Sequence, residues 1–147
     1  MINPFVIVRL FIGSLLVFAS TQKLFSPYQN FLYIVESYQI FPATLSQLIV
    51  FIFPWIEFFL GVFLILGLWL TAVLRGTVLV FLGFIFIVAQ ALIRKLSIAD
   101  CGCFGEWFSL PLYGILTVDS LVLLMTIGLL LNIPRTSQWS LDRYFDT

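Results

Sequence analysis

Residues 47–70 read QLIVFIFPWIEFFLGVFLILGLWL, and residues 71–93 continue TAVLRGTVLVFLGFIFIVAQALI. Each run is long enough to cross a bilayer core of about 30 Å, which takes roughly 20 helical residues. A strand reading fails because the runs are continuous rather than alternating. An open sheet would also leave unpaired backbone groups in lipid. The link at Leu70-Thr71 is very short, so the two runs form a tight helical hairpin. Two further runs have the same character, Pro4–Phe25 near the start and Leu112–Ile133 near the end. The expectation is an all-α integral membrane four-helix bundle. It is one transmembrane domain over 1–147, with spans at about 4–25, 47–70, 72–93 and 112–133.

Composition agrees. The chain is 62% hydrophobic and only 10% charged, with a mean hydropathy of +1.15. Soluble domains are about a quarter charged. Too little polar surface is available to face water, so the bilayer is the expected partner. Net charge is zero and no Lys/Arg cluster is present, which excludes nucleic acid. The absence of histidine removes the commonest zinc and haem ligand. No metal site is expected. The first run lacks a basic start and reads as an uncleaved span.

Between the first two spans, Phe31, Ile34, Val35 and Tyr38 share one helical face, while Asn30, Glu36 and Ser37 fall elsewhere. This predicts a short amphipathic helix lying in the interface over about 28–41, opened by Ser26-Pro27 and closed by Phe41-Pro42. Four spans put both termini on one side and the loop at about 97–110 on the other. Arg9, Arg75, Arg135 and Arg143 lie on the terminal side, against Lys23, Arg94 and Lys95 opposite. The positive-inside rule then places the termini in the cytoplasm.

Each span also carries a polar or small stripe: Arg9, Gly13, Ser20 and Lys23; Pro54, Glu57 and Gly61; Gly76, Gly83 and Gln90; Asp119 and Thr126. Such spacing lines one side of a helix, and in lipid that side is expected to face the bundle interior. Glu57 is near mid-span, where an ionised carboxylate must be protonated or paired. Lys23 is the preferred partner and Arg9 the second. A proton relay, a cofactor pocket wall and a structural ion pair all fit Glu57. Asp119 divides evenly between structural and functional readings. Arg9 reads as snorkelling to the terminal-side interface.

The chain's two cysteines, Cys101 and Cys103, stand together in the polar loop Asp100-Cys101-Gly102-Cys103-Phe104-Gly105-Glu106. Two thiols one residue apart close a ring of about eleven atoms as a disulfide, and Gly102 lets the backbone turn. Strain makes so short a bridge easily reduced, which suits a disulfide that is handed on. As a fixed staple it would close almost no chain. Phe104 and Trp107, with Phe108, are suited to anchor the loop at the interface. Metal capture by the dithiol and an inert role are the alternatives.

This set of features resembles the MauE/DoxX family of small bacterial membrane proteins. The likeness rests on Arg9, on Lys23-Leu24, and on the aromatic amphipathic stretch that follows. It continues with Pro54, Glu57 and Gly61, then the Cys-Gly-Cys-Phe-Gly element ending at Gly105, which points to the MauE branch. The resemblance implies a multi-pass protein of the bacterial inner membrane, with its cysteine loop in the periplasm. It further implies a periplasmic thioredoxin-like partner in disulfide formation, and for MauE itself methylamine dehydrogenase as client. A looser analogy to DsbB and vitamin K epoxide reductase suggests quinone as electron carrier. Those proteins have two cysteine pairs where this chain has one, so any acceptor must meet Cys101 and Cys103 directly.

The expected function is therefore a membrane thiol–disulfide oxidoreductase. Cys101 and Cys103 are its catalytic residues. Glu57, Lys23, Gln90, Asp119, Phe104 and Trp107 are candidates for proton relay or cofactor binding. The alternatives are soft-metal-ion binding or transport, and a non-catalytic subunit of a larger membrane redox complex.

Overall fold

The computed structural model describes residues 3–96, 111–137, 140, 141 and 144. They form six helices: α1 (Pro4–Phe25), α2 (Tyr28–Ser37), α3 (Ala43–Leu66), α4 (Leu70–Ile93), α5 (Leu112–Leu131) and α6 (Ile133–Thr136). No strand occurs among the described residues. Helices α1, α3, α4 and α5 are each long and apolar enough to cross a membrane. The chain is an all-α four-helix membrane bundle.

Local chemistry sets the helix ends. Asn3 caps α1, its side chain accepting from the Phe5 N–H at 3.3 Å. Pro42 precedes α3, its fixed φ entering the helix cleanly. That starts α3 four residues before the expected Gln47. Helix α2 stops at Ser37 rather than continuing to Phe41. Pro42 disfavours helical backbone at Phe41, and Gln39 already takes a positive φ of 52°. The hairpin turn falls at Gly67–Trp69, just ahead of the expected Leu70-Thr71 link. Gly67 adopts φ 70°, and the Gly67 and Leu68 N–H groups both donate to the Phe63 carbonyl at 2.8 and 3.0 Å. This left-handed glycine closes the helix as a C-terminal cap.

Helices α1 and α3 pack most extensively, and α4 and α5 next. Gly13 and Gly61 make the first contact. A Cβ added at Gly13 would lie 3.0 Å from the Gly61 carbonyl oxygen, and one at Gly61 would lie 2.9 Å from that of Gly13. Two small residues thus bring the backbones together where lipid gives no hydrophobic drive to association.

At the terminal end, the Arg9 guanidinium is buried and donates from Nη1 to the Thr136 carbonyl at 2.9 Å. Arg9 therefore ties the C-terminal segment to α1 and does not snorkel outward. The stripe on α4 is also corrected. Gly83 is exposed with open space around it, and Gly76 and Gln90 are only partly buried. The interior face of α4 consists of Val73, Leu74, Thr77, Phe81, Val88 and Ala91 with Leu70. A bundle in lipid can point apolar side chains either way, so glycine spacing alone does not identify the inner face.

Candidate functional site

The site is built at the α2 end of the bundle. Lys23 occupies the last turn of α1, Glu57 the middle of α3, and Asp119 lies seven residues into α5. All three are buried. The Lys23 ammonium donates to both Glu57 oxygens, at 2.9 Å and 2.7 Å, and both side chains are about 1% exposed. The preferred pairing of Lys23 with Glu57 is realised in this geometry, and Arg9 is engaged elsewhere. Pro54, one turn before Glu57 in α3, has no N–H to offer the Val50 carbonyl.

Three aromatic rings surround the ammonium. Phe84 of α4 lies at 5.1 Å from Lys23 Nζ to ring centroid, Phe31 of α2 at 5.7 Å and Phe53 of α3 at 5.9 Å. Their faces favour a cation, and four helices thereby converge on one charge. Sequence reasoning missed this cage. With 17 phenylalanines in the chain, composition does not mark these three. Only Phe31 carried a signal, as a member of the apolar face of α2.

The rings also form one wall of a cavity of about 300 Å³ beneath α2. Its lining includes Phe31, Ile34, Val35 and Tyr38 from α2 and the residue after it, with Phe53 and Phe84 opposite. The apolar face read from the sequence thus turns inward onto α3 and α4. Tyr38 is buried against Val88, Ala91, Leu112 and Ile115. Burial, with Asp119 adding to it, pushes its phenol up to about 12. At neutral pH Tyr38 is therefore an uncharged hydroxyl.

Asp119 has no hydrogen-bond partner for Oδ2 among the described residues. A void of about 10 Å³ lies against it and also against Glu57, walled by Leu15, Leu16, Ala19, Phe81 and Phe84. Gln90 stands near the cysteine-side end of α4, partly exposed, with its buried Oε1 also lacking a described partner. No described hydrogen bond joins it to the Lys23–Glu57 pair. Cys101, Cys103, Phe104 and Trp107, with the whole loop over 97–110, lie outside the described residues. What is described are the loop's two anchors. Val88 and Ala91 of α4 pack with Leu112 and Ile115 of α5 and with Tyr38, and Arg94 donates to the Gln39 carbonyl at 3.4 Å. The segment holding the cysteines therefore leaves and re-enters the bundle beside the end of α2. Among the described residues no group of three or more Asp, Glu, Cys or His is placed to hold a metal.

A family model described as "Methylamine utilisation protein MauE" matches residues 1–132. The chain belongs to the MauE family. No curated protein and no solved structure matches it. The matched region spans α1 to α5 and includes every candidate residue above. Family membership and four apolar helices make this MauE chain a multi-pass membrane protein. The family is described by a part in methylamine utilisation.

Proposed function

We propose that this MauE-family chain is a membrane thiol–disulfide oxidoreductase whose redox centre is the Cys101–Cys103 pair. One observation carries the reading. The only two cysteines of the chain fall within a single loop, and that loop is anchored beside α2, at the bundle end nearer Lys23.

In the exchange, a thiolate of a thioredoxin-like partner attacks one sulfur of the Cys101–Cys103 bond. That bond breaks, and a mixed disulfide forms while the other cysteine leaves as a thiolate. The partner's second thiol then displaces the mixed disulfide. The partner ends oxidised and this chain ends as a dithiol, with protons conserved overall. Restoring the bond removes two electrons and two protons from the dithiol. A quinone in the bilayer is a suitable acceptor because it becomes a quinol by taking up both. The apolar cavity under α2 suits the tail of such a carrier, and Phe104 and Trp107 are the residues proposed to border its headgroup. Lys23, Glu57, Gln90 and Asp119 are the residues proposed for proton handling or headgroup contact. The same chemistry runs in reverse if the partner arrives oxidised.

The proposed topology puts the loop on the periplasmic side of a bacterial inner membrane, where disulfides persist, and the termini in the cytoplasm. Burial of Arg9 and Lys23 removes both from the count of flanking charges. Arg75, Arg135 and Arg143 then remain on the terminal side, against Arg94 and Lys95 on the other.

The test is thiol labelling of intact cells with an impermeant reagent, before and after reduction, together with trapping in Cys101→Ser and Cys103→Ser. The expected result is labelling from outside only after reduction. A mixed disulfide to a thioredoxin-like protein should also appear in one of the single variants. A double serine variant that keeps full function would overturn the proposal.

A further inference from the structure

We propose that one water molecule occupies the void between Glu57 and Asp119, and that Asp119 holds a proton which it donates through this water to the Glu57 carboxylate. The site is a buried proton store at the centre of the bundle. Its existence does not depend on the thiol reading, although its use in supplying or accepting protons for that chemistry does.

Few charges enter the core. From α1 the core receives Lys23, from α3 Glu57 and from α5 Asp119. Helix α4 presents Phe81 and Phe84 to the void and adds no charge there. Tyr38, beyond α2, adds an uncharged hydroxyl. Arg9 lies fourteen residues before Lys23 on α1, about 21 Å along the axis, and is bonded to Thr136. Among the described residues, one cation thus faces two carboxyl groups.

The cation is already engaged. Two of its donors go to the two oxygens of Glu57, and its remaining surroundings include the rings of Phe31, Phe53 and Phe84. A second carboxylate, 1% exposed and with no ion pair of its own among the described residues, would be an uncompensated charge in hydrocarbon, which costs several kcal/mol. A proton on Asp119 removes that charge.

Geometry then supplies the proton's partner. Asp119 is nine-tenths buried or more, its Oδ2 is unpartnered, and it borders the same void as Glu57. The void, about 10 Å³, is about the size that admits a single water, and a buried water needs two or more polar partners. Glu57 and Asp119 provide them. The acid O–H donates to the water, and the water donates to a Glu57 oxygen that retains a free lone pair beside its bond to Lys23. The one cation is then paired with one carboxylate, and the acid proton of Asp119 has an acceptor.

Infrared spectroscopy of the full chain in lipid vesicles tests this. At neutral pH, the wild type should show the carbonyl stretch of a protonated carboxyl group. The band should shift in deuterium oxide, and shift again when the aspartate carboxyl carbons are isotopically labelled. It should be absent in Asp119→Asn. In Glu57→Gln it should weaken strongly, because Lys23 then draws Asp119 into the ionised form. Enlarging the cavity wall in Ala19→Leu should displace the water and move the band toward that of a carboxyl group without a hydrogen bond. A wild-type spectrum with carboxylate bands alone overturns the proposal, and this result needs no variant to fold. A band that survives Asp119→Asn, or ignores aspartate labelling, also overturns it. An unmoved band in folded Ala19→Leu overturns the water bridge. The Cys101→Ser/Cys103→Ser variant should retain the band whatever its redox phenotype, so failure of the thiol reading and failure of the proton site give different results.

Discussion

Lys23 and Glu57, 34 residues apart in sequence, form a two-pronged ion pair with almost no access to solvent. Removing Lys23 leaves Glu57 charged and unpaired in the core, a loss of about 3–5 kcal/mol, and removing Glu57 leaves Lys23 with only Asp119 to turn to, at the cost of ionising it. Glu57→Leu or Lys23→Met alone should therefore lower the unfolding midpoint sharply in a mixed-micelle titration. The double variant Lys23→Met/Glu57→Leu should recover most of that loss. Additive losses would show that the pair is not a coupled unit.

Gly13 and Gly83 make a matched comparison. A methyl at Gly13 would lie 2.7 Å from Ile65 Cγ1 and 3.0 Å from the Gly61 carbonyl oxygen. Overpacking of this kind costs about 1–3 kcal/mol, so Gly13→Ala should separate α1 from α3 and lower stability. A methyl at Gly83 meets nothing within 4 Å. Gly83→Ala should be neutral or gain up to about 1 kcal/mol from helix propensity. Thermal melts in detergent distinguish the two.

Arg9→Met should release the C-terminal segment. It removes the hydrogen bond to the Thr136 carbonyl, and a bond from a charged donor is worth about 1.5–3 kcal/mol. Limited proteolysis should cut after residue 131 faster in the variant, while the Lys23–Glu57 end stays protected. Equal cutting rates would show that Arg9 does not fasten this segment.

Tyr38 should give the fold an alkaline limit. Its phenol is raised from 10.0 to about 12 in the folded protein, so the unfolded chain releases this proton first as pH rises. The associated stability is present in full below pH about 10 and is lost as pH climbs through about 12. Absorbance titration should show one tyrosine lagging the others, and Tyr38→Phe should flatten the alkaline fall in melting temperature. If all five tyrosines titrate together, Tyr38 is not buried as described.

What could be read from sequence follows from what lipid makes expensive. Charges are costly in hydrocarbon, so Lys23, Glu57 and Asp119 announced themselves, and Lys23 stood out as the preferred partner of Glu57. The apolar runs gave the four helices, and the spacing of Phe31, Ile34, Val35 and Tyr38 gave the inward face of α2. Apolar residues carry no such label, because lipid and core accept them alike. For that reason the face of α4 was misassigned at Gly83, and the rings of Phe53 and Phe84 around Lys23 went unseen. Arg9 was misplaced because its partner is a backbone carbonyl, and any residue at position 136 offers one.

Phe31 has two sides. One helps wall the open groove under α2, and the other lies against the ammonium of Lys23. A guest in the groove would meet the same ring that helps shield the cation. The surface groove and the buried cation therefore share a wall, one benzene ring that borders both.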